Sequence, residues 1–260
     1  MSDVKDIQNS HDKRRIPIQR VGVKDIRYPI VVEDRENGEQ HTIAEMDIYV
    51  NLPHHHRGTH MSRFIKVLND YHETTFIHKL HEFLESIRRE LDADSAYTRI
   101  SFPYFIRKAA PVSGIKSLMS YECSFEAALE KDFSLTLGVK VPVMSLCPCS
   151  KEISKYGAHN QRSYINIEVC MDDFIWLEEL IRYAEDSASS ELYSLLKRVD
   201  EKHVTEVSYE NPKFVEDIVR DLAIKLRKDS RISWFRIESV NMESIHNHSA
   251  YACIEWQKNN

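Results

Sequence analysis

The sequence predicts an α+β fold made of two tandem ββααββ modules, each an antiparallel sheet with helices on one face. Three observations predict it. Runs rich in Val, Ile and Tyr occur in pairs on either side of stretches with apolar residues at helical spacing. The same order returns after on the order of 115 residues, a period too long for a solenoid and fitting a duplicated domain. The chain has 260 residues, 42% of them hydrophobic, enough to bury an ordinary core.

Residues 1–15 are polar and charged without an apolar face, and read as a flexible arm. The first module is expected over 16–130. Strands at 16–33 and 40–52 are joined by Glu36-Asn37-Gly38-Glu39, a hairpin signal. Met61, Phe64, Ile65 and Leu68 share one helical face, and a second helix is predicted from 74 to 91. Strands at 96–109 and 117–129 follow, with Pro111, Ser113 and Gly114 at their turn. The second module is expected over 131–260, with strands at 133–144 and 163–171 and helices at 174–184 and 214–228. Strands at 232–244 and 249–256 close it. The last helix has a start signal, with Asn211 as N-cap and Pro212 in the first helical position. The charged run 198–206 reads as a solvated face.

A net charge of −6 argues against a general nucleic-acid or anionic-membrane binder. The five cysteines, at 123, 147, 149, 170 and 253, are scattered and give no disulfide framework, so a reducing cytoplasm is expected. No apolar run approaches the ~18–20 residues that span a bilayer.

Residues 145–163 concentrate the chemistry. Pro148 separates Cys147 from Cys149, and its fixed φ and missing N–H predict a rigid, aperiodic turn. C-x-C is too short for a structural zinc knuckle, so an open catalytic metal site fits better. Gly157 can take positive φ and turn the chain so that His159 returns toward Cys147. Mixed Cys and His ligation suits zinc, iron or manganese with a water in the vacant position. Taken singly, each cysteine reads as a small buried filler and the histidine as an ordinary one; crowding them into one segment favours the site.

Other candidates are weaker alone. Arg57, His60, Arg63 and Lys66 place four potential cations before and within one helix start, which suits a triphosphate and also an ordinary basic surface. His246 and His248 sit on a turn beside Glu243, and imidazole, with an ordinary pKa of ~6.5, is the side chain for proton transfer near neutrality. Glu216 at a helix start has the plain reading of dipole compensation.

The string Ser145-Leu-Cys-Pro-Cys-Ser-Lys-Glu152 with Tyr156-Gly-Ala-His-Asn-Gln-Arg162 resembles the signature of the type IB GTP cyclohydrolases of the tunnelling-fold superfamily. Arg57-Gly-Thr-His-Met-Ser-Arg-Phe64 and Asn211-Pro-Lys-Phe-Val-Glu-Asp217 agree with it, in the family's order. The resemblance implies that the ββααββ units are tunnelling-fold (T-fold) modules whose sheets assemble into a barrel in an oligomer. It further implies a homotetramer with active sites at subunit interfaces. The implied reaction is GTP plus water giving formate and 7,8-dihydroneopterin triphosphate, the entry to tetrahydrofolate. It implies one divalent metal ion, Mn²⁺, Fe²⁺ or Zn²⁺, on Cys147 and His159, with Glu201 completing the shell. Glu216 is then the guanine anchor, because a carboxylate accepts from the paired ring N–H and amine. His246 and His248 become the acid/base pair, with Cys147 in the catalytic set. Glu243 and Cys149 stand beside the substrate. Two alternatives stay open: a nitrile reductase of the same superfamily, needing nicotinamide and no metal, and a non-enzymatic purine-binding protein.

Overall fold

The computed structural model describes residues 8, 10–71 and 75–258. The expected start of the second helix at Thr74, and part of the N-terminal arm, lie outside the described residues. Nine strands among the described residues form one antiparallel sheet in the order β1-β2-β3-β4-β5-β6-β8-β9, with the short β7 added to β5. This corrects the expected tandem T-fold modules, each with its own antiparallel sheet and assembling into a barrel in an oligomer: the sheet is single and does not close. The reason is that β4 pairs with β5 as well as β3, so backbone donors and acceptors are satisfied straight across the expected module boundary. Side-chain periodicity shows which face is buried but not which strand is the neighbour.

The chain forms two compact units, one of Met1–Phe102 with Ser124–Leu135 and one of Pro103–Cys123 with Thr136–Asn260. In the first, β1 (Ile18–Asp34) and β2 (Gly38–Leu52) make the expected hairpin. Gly22 lies so close to β2 that a Cβ would stand 2.0 Å from the Ile48 carbonyl oxygen, which leaves room only for glycine. Ala44, Met46, Ile48 and Val50 alternate on the buried face of β2. Helices α1 (Met61–Asn69) and α2 (Phe76–Glu90) pack on each other and on β1. Phe64, Leu68, Leu80, Phe83 and Leu84 are fully buried there, each contributing about 1.5–3 kcal/mol. Part of the arm is ordered: Gly58 and Arg57 donate backbone hydrogen bonds to Gln8 and Ser10, and Asp12 donates to His55, each at 3.1 Å.

The second unit takes in the outer part of β3 (Ala96–Ala109), most of β4 (Lys116–Leu129) and the rest of the chain. Its sheet continues through β5 (Phe133–Leu146), β6 (Asn160–Met171), β8 (Ile232–Asn241) and β9 (Ala250–Gln257). Helices α4 (Leu177–Glu185) and α6 (Val215–Lys228) pack against each other, and α6 covers β8 and β9. Ile218, Leu222 and Leu226 of α6 are fully buried, as are Ile165, Ile167 and Val169 of β6.

Between the expected elements lie three others: α3 (Pro148–Ile153), β7 (Ser190–Glu191) and α5 (Arg198–Glu210). The run read as a solvated charged face is thus a helix. It buries only Asp200 and Ser208, so no apolar period announces it. Start signals also moved. Phe214, not Asn211, is the N-cap of α6, with its N–H donating to Asp217 at 3.0 Å. Asn211 instead ends α5 and donates its side-chain amide to the carbonyls of Ala188 and Ser189 at 2.9 and 3.2 Å.

Candidate active site

The Cys147–His159 segment leaves the end of β5 and returns as the start of β6. Cys147 is the N-cap of α3 and its sulfur accepts from the Ser150 N–H at 3.4 Å. Pro148 therefore does not make the segment aperiodic. It takes the first helical position, where no N–H is needed and its fixed φ suits the helix. Gly157 has φ of +125°, as expected, and the chain doubles back. The Cys147 N–H donates to the His159 carbonyl at 3.1 Å, and the His159 N–H donates to Ser150 Oγ at 3.2 Å. The two residues are thus placed side by side, both half-buried, while the Cys149 thiol is exposed.

The His159 ring is held from behind. Its Nδ1 lies 3.0 Å from Gln161 Oε1 and 3.2 Å from Ser244 Oγ, and Gln161 Nε2 donates to Glu243 Oε1 at 3.2 Å. Sequence reading missed Gln161 and Ser244. The contact depends on the register of β6 against β8, which pairs Ser163 with Asn241 and which no local pattern encodes. The one available signal is that alternation along β6 puts Gln161 on the same face as Ser163 and Ile165, an inward polar position. Beyond Ser244, His246 and His248 are exposed, with rings stacked 5.1 Å apart.

A cavity of about 520 Å³ lies between this segment and α5, walled by Tyr156 and Asn160 on one side and by Thr205, Ser208 and Tyr209 on the other. Lys151 of α3 donates to the Tyr209 carbonyl at 2.5 Å and lies over its ring. Glu201 is one turn before Thr205, which bonds back to its carbonyl at 2.7 Å, so it belongs to the same helical stripe. Its neighbour Asp200 fixes the start of α5: it accepts from the N–H groups of Val112, Ser113 and Lys197 and from the Ser113 hydroxyl. Burial pushes the Asp200 carboxyl up, but the hydrogen bonds from Ser113, Lys197 and Val112 outweigh it and hold it well below the usual range.

Glu216 is exposed in the first turn of α6, and capping falls to Asp217, leaving its carboxylate to other partners. Three residues before it, the Lys213 N–H donates to the Leu146 carbonyl at 3.1 Å, which ties this helix start to the end of β5. Among the described residues of the single chain no three His, Cys, Asp or Glu side chains are grouped closely enough to hold a metal ion, and Glu201 is not grouped with Cys147 and His159 there. In the first unit, His60 and Arg63 line a cavity of about 140 Å³, whereas Lys66 is paired with Glu90 at 2.8 Å and Arg57 is exposed.

Residues 4–252 match the family model described as type I GTP cyclohydrolase folE2. The chain belongs to this family. A GTP cyclohydrolase FolE2 of Geotalea uraniireducens is 56% identical over 253 residues, 97% of this chain and 93% of that protein. One of Geobacter metallireducens is 54% identical over 258 residues, 99% of both chains. Among solved structures, uricase from Arthrobacter globiformis superposes with a TM-score of 0.54 at 7% identity, covering 92% of this chain and 93% of that one. Urate oxidase from Bacillus sp. TB-90 gives 0.53 at 10% identity, covering 93% and 100%. The fold of this FolE2 member is therefore urate-oxidase-like, and the family match sets aside the reductase and binding-protein alternatives.

Proposed function

We infer that the chain is a type I GTP cyclohydrolase of folate biosynthesis, hydrolysing GTP to formate and 7,8-dihydroneopterin triphosphate. Membership over nearly the full length supports the activity. The observation that supports its site is the side-by-side placement of Cys147 and His159, with His159 Nδ1 already engaged.

That pair fits a divalent metal. Thiolate and imidazole are donors for zinc and iron(II), and a ligating histidine ordinarily has its second nitrogen hydrogen-bonded, as here. We propose Mn²⁺, Fe²⁺ or Zn²⁺ on Cys147 and His159, with Glu201 as the third ligand in a homotetramer whose active sites lie at subunit interfaces. When bound, the metal would supply a polarised water for attack at C8 of the purine.

The chain's own residues divide the remaining work. Glu216 accepts from the ring N–H and exocyclic amine of guanine, which fixes the base by two charge-assisted hydrogen bonds. His246 or His248 gives a proton to the imidazole nitrogen of the base as the ring opens. Glu243 and Cys149 contact the substrate from the flanks. Arg57, His60, Arg63 and Lys66 take the triphosphate; the Lys66–Glu90 pair lies in water, where solvent screens it, and gives way to phosphate. We also assign the fold to the tunnelling-fold superfamily and the protein to the cytoplasm. All five cysteines are free thiols, and no helix among the described residues is long and apolar enough to cross a membrane.

Metal stoichiometry tests the site. Cys147→Ala and His159→Ala should each lose the bound ion, measured by elemental analysis after dialysis, with the fold retained by circular dichroism. Full metal content in either variant would remove that residue from the ligand set.

A further inference from the structure

His159 can serve as a ligand or as a base only through the nitrogen that does not carry its proton, and the hydrogen-bond partners of its Nδ1 bear on which one that is. Gln161 is 7% exposed and lies between His159 and Glu243. An ionised carboxylate only accepts hydrogen bonds, so the end of the Gln161 side chain facing Glu243 Oε1 at 3.2 Å is its NH₂ group. The opposite end, the carbonyl Oε1, therefore faces His159 Nδ1 at 3.0 Å. A carbonyl also only accepts, so Nδ1 carries the proton. The Ser244 hydroxyl, 3.2 Å from the same nitrogen, can donate or accept and imposes nothing by itself. The orientation of an amide is an assignment from its partners, and here the acceptor-only carboxylate makes that assignment.

We propose that Gln161 is a positioning residue that locks His159 as the Nδ1–H tautomer, with its lone pair on Nε2, and that Glu243 acts through it by fixing the direction of the amide. The consequence for metal binding rests on the reading of His159 as a ligand; the tautomer itself does not. No residue of the relay belongs to the segment that carries Cys147. Gln161 stands on β6, and Glu243 and Ser244 follow β8, so strand register brings the relay together. A ligand whose orientation is set by sheet pairing is less exposed to motion in the 147–159 loop. Losing such an outer partner typically weakens metal affinity ~10–100-fold.

The test uses full-length, metal-free protein with ¹⁵N-labelled histidine, with His159→Gln assigning the signal and the side-chain nitrogen shifts reading the tautomer. Wild type should show Nδ1–H at His159. Gln161→Leu, similar in bulk, should move it to Nε2–H or a mixture, and Ser244→Ala should leave it unchanged. The exchange Gln161→Glu with Glu243→Gln keeps an acceptor at 161 and a donor at 243, and should restore Nδ1–H even if Gln161→Leu folds poorly. An Nε2–H tautomer in wild type, an unmoved tautomer in Gln161→Leu or failure of the exchange would overturn the proposal. Cobalt(II) titration in parallel should show ~10–100-fold weaker binding for Gln161→Leu and recovery in the exchange. A tautomer that moves while cobalt affinity stays fixed supports the role of Gln161 and removes His159 from the metal, so the two readings fail separately.

Discussion

Replacing Lys108 by Met should destabilise the second unit, and by more at pH 8 than at pH 5. Lys108 Nζ stands 2.6 Å from Glu185 Oε1, 2.5 Å from Glu191 Oε2 and 2.8 Å from the Leu192 carbonyl. The side chains of Lys108 and Glu185 are 12% and 11% exposed, and that of Glu191 is 40% exposed. Removing one partner of a buried pair typically costs about 3–5 kcal/mol, because the other charge stays buried. Glu191 reaches water, so the lower end, about 3 kcal/mol at pH 8, is expected. Burial pushes the Glu185 carboxyl up, and Lys108 and the Tyr121 hydroxyl pull it partly back. Without Lys108 it rises further. A carboxyl raised in the folded state favours folding below its unfolded value of ~4.3 and loses that advantage as pH climbs through the folded value. The deficit should therefore shrink in acid. Urea unfolding at the two pH values measures it. A deficit under about 1 kcal/mol at pH 8, or one equal at both pH values, would refute the argument. The site should feel the change, because the segment this triad holds runs along the end of β5: the Ser189 N–H donates to Met144 and Ser189 Oγ accepts from Leu146, both at 3.1 Å, just before Cys147.

Four further outcomes follow from the same geometry. Cys147→Ala should reduce turnover by at least ~10³-fold, since it removes the proposed metal ligand and the α3 N-cap together, and a steady-state GTP assay reads it. Glu216→Ala should weaken GTP binding by ~10–100-fold, as expected for lost charge-assisted hydrogen bonds, in a calorimetric titration that leaves unfolding unchanged. Gly157→Ala meets no atom within 4 Å but must adopt φ of +125°, so it should cost about 1–3 kcal/mol of local order, seen as faster amide exchange across 154–159. Leu222→Ala, at a fully buried position on α6, should cost about 2–5 kcal/mol in urea unfolding with little change in KM.

The elements legible in the sequence are those whose period is set by burial. Strand β2, α2, β3 and α6 alternate or repeat with their buried faces, and β3 spans Ala96–Ala109 as expected. What stayed hidden does not bury apolar surface. α5 turns inward with Asp200 and Ser208, and α3 is a six-residue helix closed by a cysteine sulfur. The continuity of the sheet stayed hidden too, because the choice of strand neighbour is a long-range event. The same division holds at the site. Cys147, Gly157 and His159 lie within one turn-rich segment, so their approach could be read locally. Gln161, Ser244 and Glu243 meet only through the β6–β8 register.

The proposed metal-dependent GTP cyclohydrolase site on Cys147 and His159 has one most direct test. The measurement is a GTP assay on metal-stripped protein with and without Mn²⁺, Fe²⁺ or Zn²⁺, following formate and, after oxidation, neopterin fluorescence. Stripping should stop turnover with the fold intact, one or more ions should restore both products in equal amounts, and none should restore Cys147→Ala. Formation of both products at full rate by the stripped protein, or by Cys147→Ala with any ion, would contradict it.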